Sequence, residues 1–440
     1  MSLELTLSPE AIGAVSIVGL IVLVILRVPI GIALVAIGFM GNLYFQGLTP
    51  AIIQFQLVIW EVATNFVLVT LPLFIWMGNL AQVSGLGKDL YHSLYRLFGR
   101  VPGGLAVTSV VSSAGFGAVT GSSVATVTAM GNMLMPEMKR YRYDMGLATG
   151  SLASAGVLAI LIPPSVPLVF YSAWTETSLG DLFIAGIIPG LMLATLFALS
   201  IVLRCLMDPM LAPQGERFTW LERITALPHM LPAISVMLIV LGCIYAGIAT
   251  PTEAAVVGLV WVLLLGLIRQ KLSISKLKQS IHQSATLSGN IFVLFLGGIF
   301  YSRFMAQTGL IESQINAISG WPVSPHLILL ALVIMYLFLG AILDTFGMII
   351  LTLPFVFPLV MSLGYDPVWF GIFIVMMIEL SLITPPIGIN VFVMQRVVPD
   401  VPIMTIFKGT FPFVFMTLFM VGLLVVFPEI ALWLPQKMAK

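Results

Sequence analysis

Long apolar runs separated by short polar ones set the plan of this chain. Such runs occupy about residues 12–26, 30–45, 52–83, 182–203, 231–247, 254–268 and 285–304. A bilayer core takes about 20 residues of helix, so each run reads as a membrane span. The run 52–83 is longer than that and is expected to tilt or protrude as one helix. Between the runs, residues 88–100 set Lys88, His92, Arg96 and Arg100 at helical spacing among Leu and Tyr. That pattern predicts an interfacial amphipathic helix with its basic face in water. Lys271, Lys276 and Lys278 mark a second amphipathic stretch, and residues 309–319 a short polar helix.

Two regions depart from this plan. The first, residues 117–172, is apolar but interrupted at Thr120-Gly121-Ser122-Ser123 and at Ile162-Pro163-Pro164-Ser165. Proline lacks a backbone donor and clashes with the preceding turn, so a helix opens there. Gly and Ser permit a tight turn and supply hydroxyl partners. Opened backbone at membrane depth is tolerated only where it is buried in protein or lines a watery cavity. A pair of broken segments therefore points to a binding site. The pieces 105–119 and 124–135 are ~22 Å and ~18 Å long at 1.5 Å per residue, short of a ~30 Å hydrocarbon core. Arg96 and Arg100 precede them, and Lys139, Arg140 and Arg142 follow. Since basic clusters stay cytoplasmic, the pieces are predicted to form a re-entrant hairpin with its tip at Gly121-Ser122-Ser123. Residues 144–174 then cross as a helix broken at Pro163-Pro164.

The second region repeats the first. Pro136 and Pro358, Tyr143-Asp144 and Tyr365-Asp366, and Pro163-Pro164 and Pro385-Pro386 are each 222 residues apart. Gly117-Ala118 and Gly340-Ala341 are 223 apart, and Gly85-Leu86 and Gly309-Leu310 are 224 apart. The register predicts a second hairpin over 325–362, tipped at Asp344-Thr345-Phe346-Gly347, and a second broken helix over 367–396. Of the 19 Lys and Arg, 16 fall on the cytoplasmic side when the second repeat is inverted relative to the first, and 3 outside. The expected organisation is N-terminal scaffold spans over 1–51, the first repeat over 52–205, linker and scaffold spans over 206–275, the second repeat over 276–430, and a tail over 431–440. Inverted repeats with broken helices meeting at the midplane are the architecture of secondary transporters.

Such a meeting point would carry helix N-termini, whose amides suit a carboxylate. It would also carry unwound carbonyls and the hydroxyls of Ser122, Ser123, Ser165, Thr345 and Thr384, neutral oxygens that suit a hard monovalent cation. The plainer alternative, prolines as kinks and serines bonded back to their own helices, does not account for four motifs in repeat register. Asp344 is either a functional group at its tip or a cap. Glu379 and Glu61, inside apolar runs, are open between structural, neutralised and interfacial roles.

Composition narrows the class further. The chain is 60% apolar and 8% charged, against about 25% charged in soluble domains, and lacks barrel-type alternation. A net charge of +1 without a basic tail gives no sign of nucleic-acid binding. Cys205 and Cys243 are too few for a disulfide framework or a metal cluster. The N-terminal run lacks the features of a cleaved signal and reads as a retained span. There is no Gly-Lys-Ser/Thr phosphate loop, nucleophile elbow or His-Glu-x-x-His zinc motif, so an ATPase or an enzyme is not indicated.

Gly121-Ser122-Ser123, Met135-Pro136-Glu137-Met138, Leu161-Ile162-Pro163-Pro164-Ser165 and Thr384-Pro385-Pro386-Ile387-Gly388 together resemble the large membrane subunit of tripartite ATP-independent periplasmic (TRAP) transporters. The resemblance spans essentially the whole chain. It implies an all-α polytopic protein of the bacterial inner membrane, working as an elevator in which hairpins and broken helices move against a scaffold. It implies import of an organic acid, of the sialic acid or C4-dicarboxylate class, driven by sodium as coupling ion with no other cofactor. The implied partners are a periplasmic substrate-binding protein, a small four-helix membrane subunit and membrane lipids. One sodium site would use Ser122, Ser123, Ile162, Pro163 and Ser165. The other would use Asp344, Thr345, Thr384, Pro385 and Gly388. Substrate would lie between them against Gly121, Ser165, Thr345 and Asn390. A stand-alone sodium–dicarboxylate carrier and a channel or structural membrane subunit remain the alternatives.

Overall fold

The computed structural model describes residues 8–213, 215, 218–319, 324–340 and 342–438. Arg217 and Lys440 of the charge count, and Ala341 of the repeat register, lie outside them. Among the described residues there is no strand. The chain opens with α1 (Pro9–Ile25) and α2 (Ile30–Gln46), then α3 (Leu48–Thr64), α4 (Phe66–Val83) and α5 (Leu86–Phe98). The first hairpin is α6 (Gly104–Thr120) and α7 (Ser123–Arg140). The first broken helix is α8 (Met145–Ala155), α9 (Leu158–Leu161) and α10 (Val166–Thr175), with a 40° bend. Spans α11 (Leu179–Met207), α12 (Trp220–Tyr245) and α13 (Pro251–Ile268) lead to α14 (Ile274–Thr308) and α15 (Leu310–Ser319). The second hairpin is α16 (Pro325–Leu339) and α17 (Thr345–Ser362), followed by the broken pair α18 (Pro367–Ser381) and α19 (Ile389–Val397). The chain closes with α20 (Ile403–Val426) and α21 (Glu429–Met438). Seven of the described helices are long and apolar enough to cross a membrane, eight with the bent pair as one.

Several boundaries differ from the apolar pattern, each for a local reason. The run 52–83 is not one tilted helix. Asn65 adopts an extended conformation, and its side-chain oxygen accepts from the amides of Val67 and Leu68. That cap starts α4 afresh and ends α3. The amphipathic stretch after Lys271 and the span at 285–304 are instead one 35-residue helix, α14. Ser280 and Ser284 bond back to carbonyls of the same helix and do not interrupt it. The linker at the start of 206–275 ends at Thr219, because Thr219 and Glu222 form a reciprocal capping box that starts α12 at Trp220. The arm predicted to stop at Met135 runs on to Arg140 with Pro136 inside it.

The first hairpin is closed at its base. The Leu105 amide donates to the Tyr143 hydroxyl at 3.2 Å, so the start of α6 and the residues after α7 share one side. At the tip, the Thr120 and Thr126 hydroxyls meet at 2.9 Å. In the second hairpin, Tyr336 and Thr352 are bonded across the arms at 2.7 Å.

The two broken helices run in opposite senses. The Tyr171 hydroxyl, near the end of α10, donates to the carbonyl of Pro367, the first residue of α18. At mid-length Asn390 reaches the Ala153 carbonyl, at 3.4 Å. On the far side Lys139, at the end of α7, pairs with Asp400 beyond α19 at 2.7 Å. Arg269 pairs with Asp89, and Arg303 with Glu61. Asp89 follows Lys88 and Arg269 precedes Lys271, which the charge count places on the cytoplasmic side, whereas it places Arg303 on the outer side.

Two sets of close helix contacts stand out. In one, α2 lies along α14, with Gly31 against Leu294 and Gly38 against Tyr301, and α4 lies along α13. In the other, α8 lies along α20, where Gly146 and Gly150 meet Gly409 backbone to backbone. Small residues four apart let membrane helices approach this closely. The broken helices pack with α11 and α20, and α21 packs on α11, whereas the hairpin arms touch both sets, α6 through α5 and α11 and α17 through α14 and α10.

Candidate functional site

Four helices begin at the breaks, and each start is shaped by a local cap. Ser122 is extended, and its hydroxyl accepts from the Ala125 amide to start α7. Asp344 does the same for α17 through the Gly347 amide at 3.1 Å. Ser122 and Asp344 are 222 residues apart, so the two tips are equivalent in the repeat although their residue types differ. Ser165 caps α10 through the Leu168 amide, and Gly388 starts α19. Gly121 and Gly388 hold φ of +61° and +59°, where a side chain would be strained. Both Pro-Pro bonds are cis.

These starts converge on one cavity of about 350 Å³. Its wall contains Gly121 to Ala125 from the first tip and Asp344 to Phe346 from the second. Val166 and Pro167 at the start of α10 and Ile389 at the start of α19 also line it. Four helix N-termini thus border the same space. Each carries roughly half a positive charge from its unpaired amides. Ile75, Gly78 and Asn79 of α4 and Leu287 of α14 close the cavity. Asn79 is held by a 2.8 Å bond to Ser284.

Of the residues singled out by sequence, Gly121, Ser122, Ser123, Asp344 and Thr345 line the cavity. Ser123 is buried, whereas Ser122 and Thr345 are half-buried. Ser165 is buried just behind, where the Val166 amide reaches the Gly121 carbonyl at 3.5 Å and ties the first tip to α10. Ile162 and Pro163 are buried against Gly190 and Gly186 of α11. Thr384 bonds back to Leu380, and Pro385 is exposed. Asn390 is fully buried and faces α8. Ile162, Pro163, Thr384, Pro385, Asn390, Gly388 and Ser165 are outside the cavity wall.

Sequence reasoning did not single out Val166, Leu382 or Ile389, nor the α4 and α14 residues. Asn79 alone among the α4 and α14 residues left a signal, as an amide inside an apolar run. Ile75, Gly78 and Leu287 look like any other span residues. Glu61 proves to be half of the Arg303 ion pair. Glu379 proves to be fully buried in the last turn of α18.

A polytopic helical protein that gathers two hairpin tips and two oppositely directed broken helices on one cavity is built as a membrane permease. Comparison with known proteins gives the family. The chain belongs to the tripartite ATP-independent periplasmic transporter, DctM component, whose pattern matches residues 17–430. It is thus a multi-pass inner-membrane protein.

It is 30% identical over 403 residues to the C4-dicarboxylate TRAP transporter large permease protein DctM of Pseudomonas aeruginosa, covering 91% of this chain and 94% of that protein. It is 30% identical to the ectoine TRAP transporter large permease protein TeaC of Halomonas elongata, covering 83% and 86%. To the sialic acid TRAP transporter large permease protein SiaM of Vibrio cholerae it is 28% identical, covering 84% and 87%. In fold it is similar to the crystal structure of the Alcanivorax borkumensis YdaH transporter. That match has a TM-score of 0.62 over 97% of this chain and 100% of that one, at 14% identity.

Proposed function

We propose that this permease imports an organic acid of the C4-dicarboxylate or sialic acid class, driven by sodium entry. The observation that carries the reading is the convergence of four helix N-termini on one cavity walled by both hairpin tips. Four positive helix ends favour an anion. The cavity volume is in the range that small organic ligands occupy.

Asp344 in the same wall would repel that anion unless a cation sits beside it. The donor set suits such a cation, since hydroxyls at Ser122, Ser123 and Thr345 and opened backbone carbonyls are hard neutral oxygens. Sodium in this reading is a co-substrate. Each charge entering contributes about 2.3 kcal/mol per 100 mV of membrane potential, enough for uphill uptake.

The group containing the hairpins, broken helices, α11 and α20 would move as an elevator against the group built on α2, α4, α13 and α14. Membership of the family supports a periplasmic substrate-binding protein and a small membrane subunit as partners. The cavity touches α4 at Ile75, Gly78 and Asn79 and α14 at Leu287, in the half of each helix that adjoins Lys88 or carries Lys276 and Lys278. That favours a cytoplasm-facing state.

Uptake of labelled succinate and sialic acid into proteoliposomes tests the reading. The permease is reconstituted with and without its small subunit, binding protein and sodium gradient. Uptake should need all of them. Full-rate uptake of free substrate without the binding protein would favour the stand-alone carrier, and sodium-independent flux would favour a channel.

A further inference from the structure

The α4 and α14 side of the cavity carries one polar side chain among the described residues. Ile75, Gly78 and Leu287 have no polar side-chain atom, and Asn79 is the exception. Its side-chain nitrogen donates to the Ser284 hydroxyl at 2.8 Å. Ser284 gives its own proton to the Ser280 carbonyl at 2.7 Å, so it serves Asn79 only as an acceptor. The amide is thereby oriented, with its nitrogen toward α14. Its second N–H and its side-chain oxygen make no further hydrogen bond with the described residues. Asn79 is half-buried in the cavity wall, so these two groups are what it has left for an occupant.

Holding α4 to α14 does not account for this residue alone. Trp76, one turn earlier, does that work from outside the cavity wall, its indole donating to Ser280 at 3.2 Å. Asn79 also sits close to the hairpin. A Cβ at Gly78 would meet the Thr120 carbonyl oxygen at 2.7 Å, so α4 lies directly against the first tip. The two sides of the cavity therefore ask for different chemistry. Helix N-termini on the hairpin and broken-helix side suit a carboxylate. One N–H beside one carbonyl oxygen on the α4 side suits a group that both accepts and donates, as a hydroxyl does. A second carboxylate has no proton to give and would leave the Asn79 oxygen unpaired, and a methylene would leave both groups unpaired.

We infer that Asn79 is a specificity-determining residue that hydrogen-bonds a hydroxyl group of the transported acid, so that the permease favours a hydroxylated carboxylic acid over a plain dicarboxylate. This assignment rests on the organic-acid reading above and narrows it. Ser284 is a positioning residue, acting on the substrate only through the amide it holds.

The test is thermal unfolding of the full chain in nanodiscs at fixed sodium, titrated separately with succinate, with malate (succinate carrying one hydroxyl) and with sialic acid. The wild type should be stabilised by malate or sialic acid at lower concentration than by succinate. In Asn79→Leu the half-saturating concentration of the hydroxylated acids should rise about three- to tenfold, the scale of one net hydrogen bond, with that of succinate nearly unchanged. Trp76→Phe, which loses a bond between the same helices away from the cavity, should lower the unfolding midpoint and leave every affinity as it was. Binding of succinate as tightly as malate and sialic acid in the wild type, or an equal loss for all three acids in Asn79→Leu, would overturn the assignment while leaving the organic-acid reading intact. A wild type indifferent to all three would overturn that reading itself. Should Asn79→Leu misfold, Ser284→Ala decides: it releases the amide without altering the cavity wall and should weaken the hydroxylated acids alone, and unchanged affinities there refute the contact.

Discussion

Ser122 and Asp344 do the same local work at equivalent positions. Each sits in an extended conformation and feeds a side-chain oxygen to the first turn of the helix leaving its tip. Ser123 is different, being buried and not a cap. The two serines therefore separate stability from ion binding. Ser122→Ala removes a cap and should cost about 1 kcal/mol of helix stability as well as an oxygen of the proposed cation site. Ser123→Ala should leave the midpoint of unfolding nearly unchanged while raising the sodium concentration needed for half-maximal uptake. The check is sodium-dependent uptake alongside thermal unfolding for both variants. Normal expression with an unchanged sodium requirement in both would remove this tip from the sodium path.

The hairpin and the broken helix are the elements that set the site. Leu105 bonded to Tyr143 closes the first hairpin at its base, so cysteines at Arg100 and Lys139 should both react with an impermeant thiol reagent from the cytoplasmic side alone. Lys139 is half of an exposed ion pair with Asp400, a contact worth about 1 kcal/mol or less, so the substitution should not disturb the fold. Labelling from opposite sides would exclude the re-entrant hairpin. The contact between α8 and α20 gives an element-scale prediction of another kind. A side chain at Gly409 would meet the Gly146 carbonyl and the Gly150 backbone, with no flexible group to yield. Gly409→Val should destabilise by at least the ~1–3 kcal/mol typical of overpacking, measured as a lower unfolding midpoint in detergent. Gly422, whose added methyl would meet nothing within 4 Å, is the control and should tolerate alanine.

Across the two repeats the directions are opposite, so their tips enter from opposite faces and meet in one space. The outer face would receive the binding protein. Glu312 and Asp366 are exposed there on the charge-derived topology, and a partner that must dock and leave should meet polar, steering contacts. Charge reversal at both should slow uptake that depends on the binding protein while leaving sodium-dependent stabilisation unchanged. Unaltered rates over a titration of binding protein would place the docking surface elsewhere. Asp366 also caps α18 through the Val368 and Trp369 amides, so Glu312→Lys alone is the cleaner variant.

The membrane class, the two hairpin tips, the two Pro-Pro breaks and the inversion are all legible in the residues alone. Each rests on a local rule: span length, absent amide donors, capping residues, or basic residues kept on one side. Ser122, Ser123, Asp344 and Thr345 stood out because polar residues at a break inside an apolar run are costly to bury unless they cap a helix or hold a ligand. Packing in three dimensions settled the rest. That Asn65 restarts a helix while the serines of α14 do not depends on whether a side chain caps outward or bonds back to its own turn. That Ile75, Gly78 and Leu287 wall the cavity while Thr384 and Pro385 stand off it depends on which helix faces pack, and apolar membrane helices look alike on every face. The burial of Glu379 is likewise a property of its surroundings, because packing decides how far a carboxyl group is withdrawn from water.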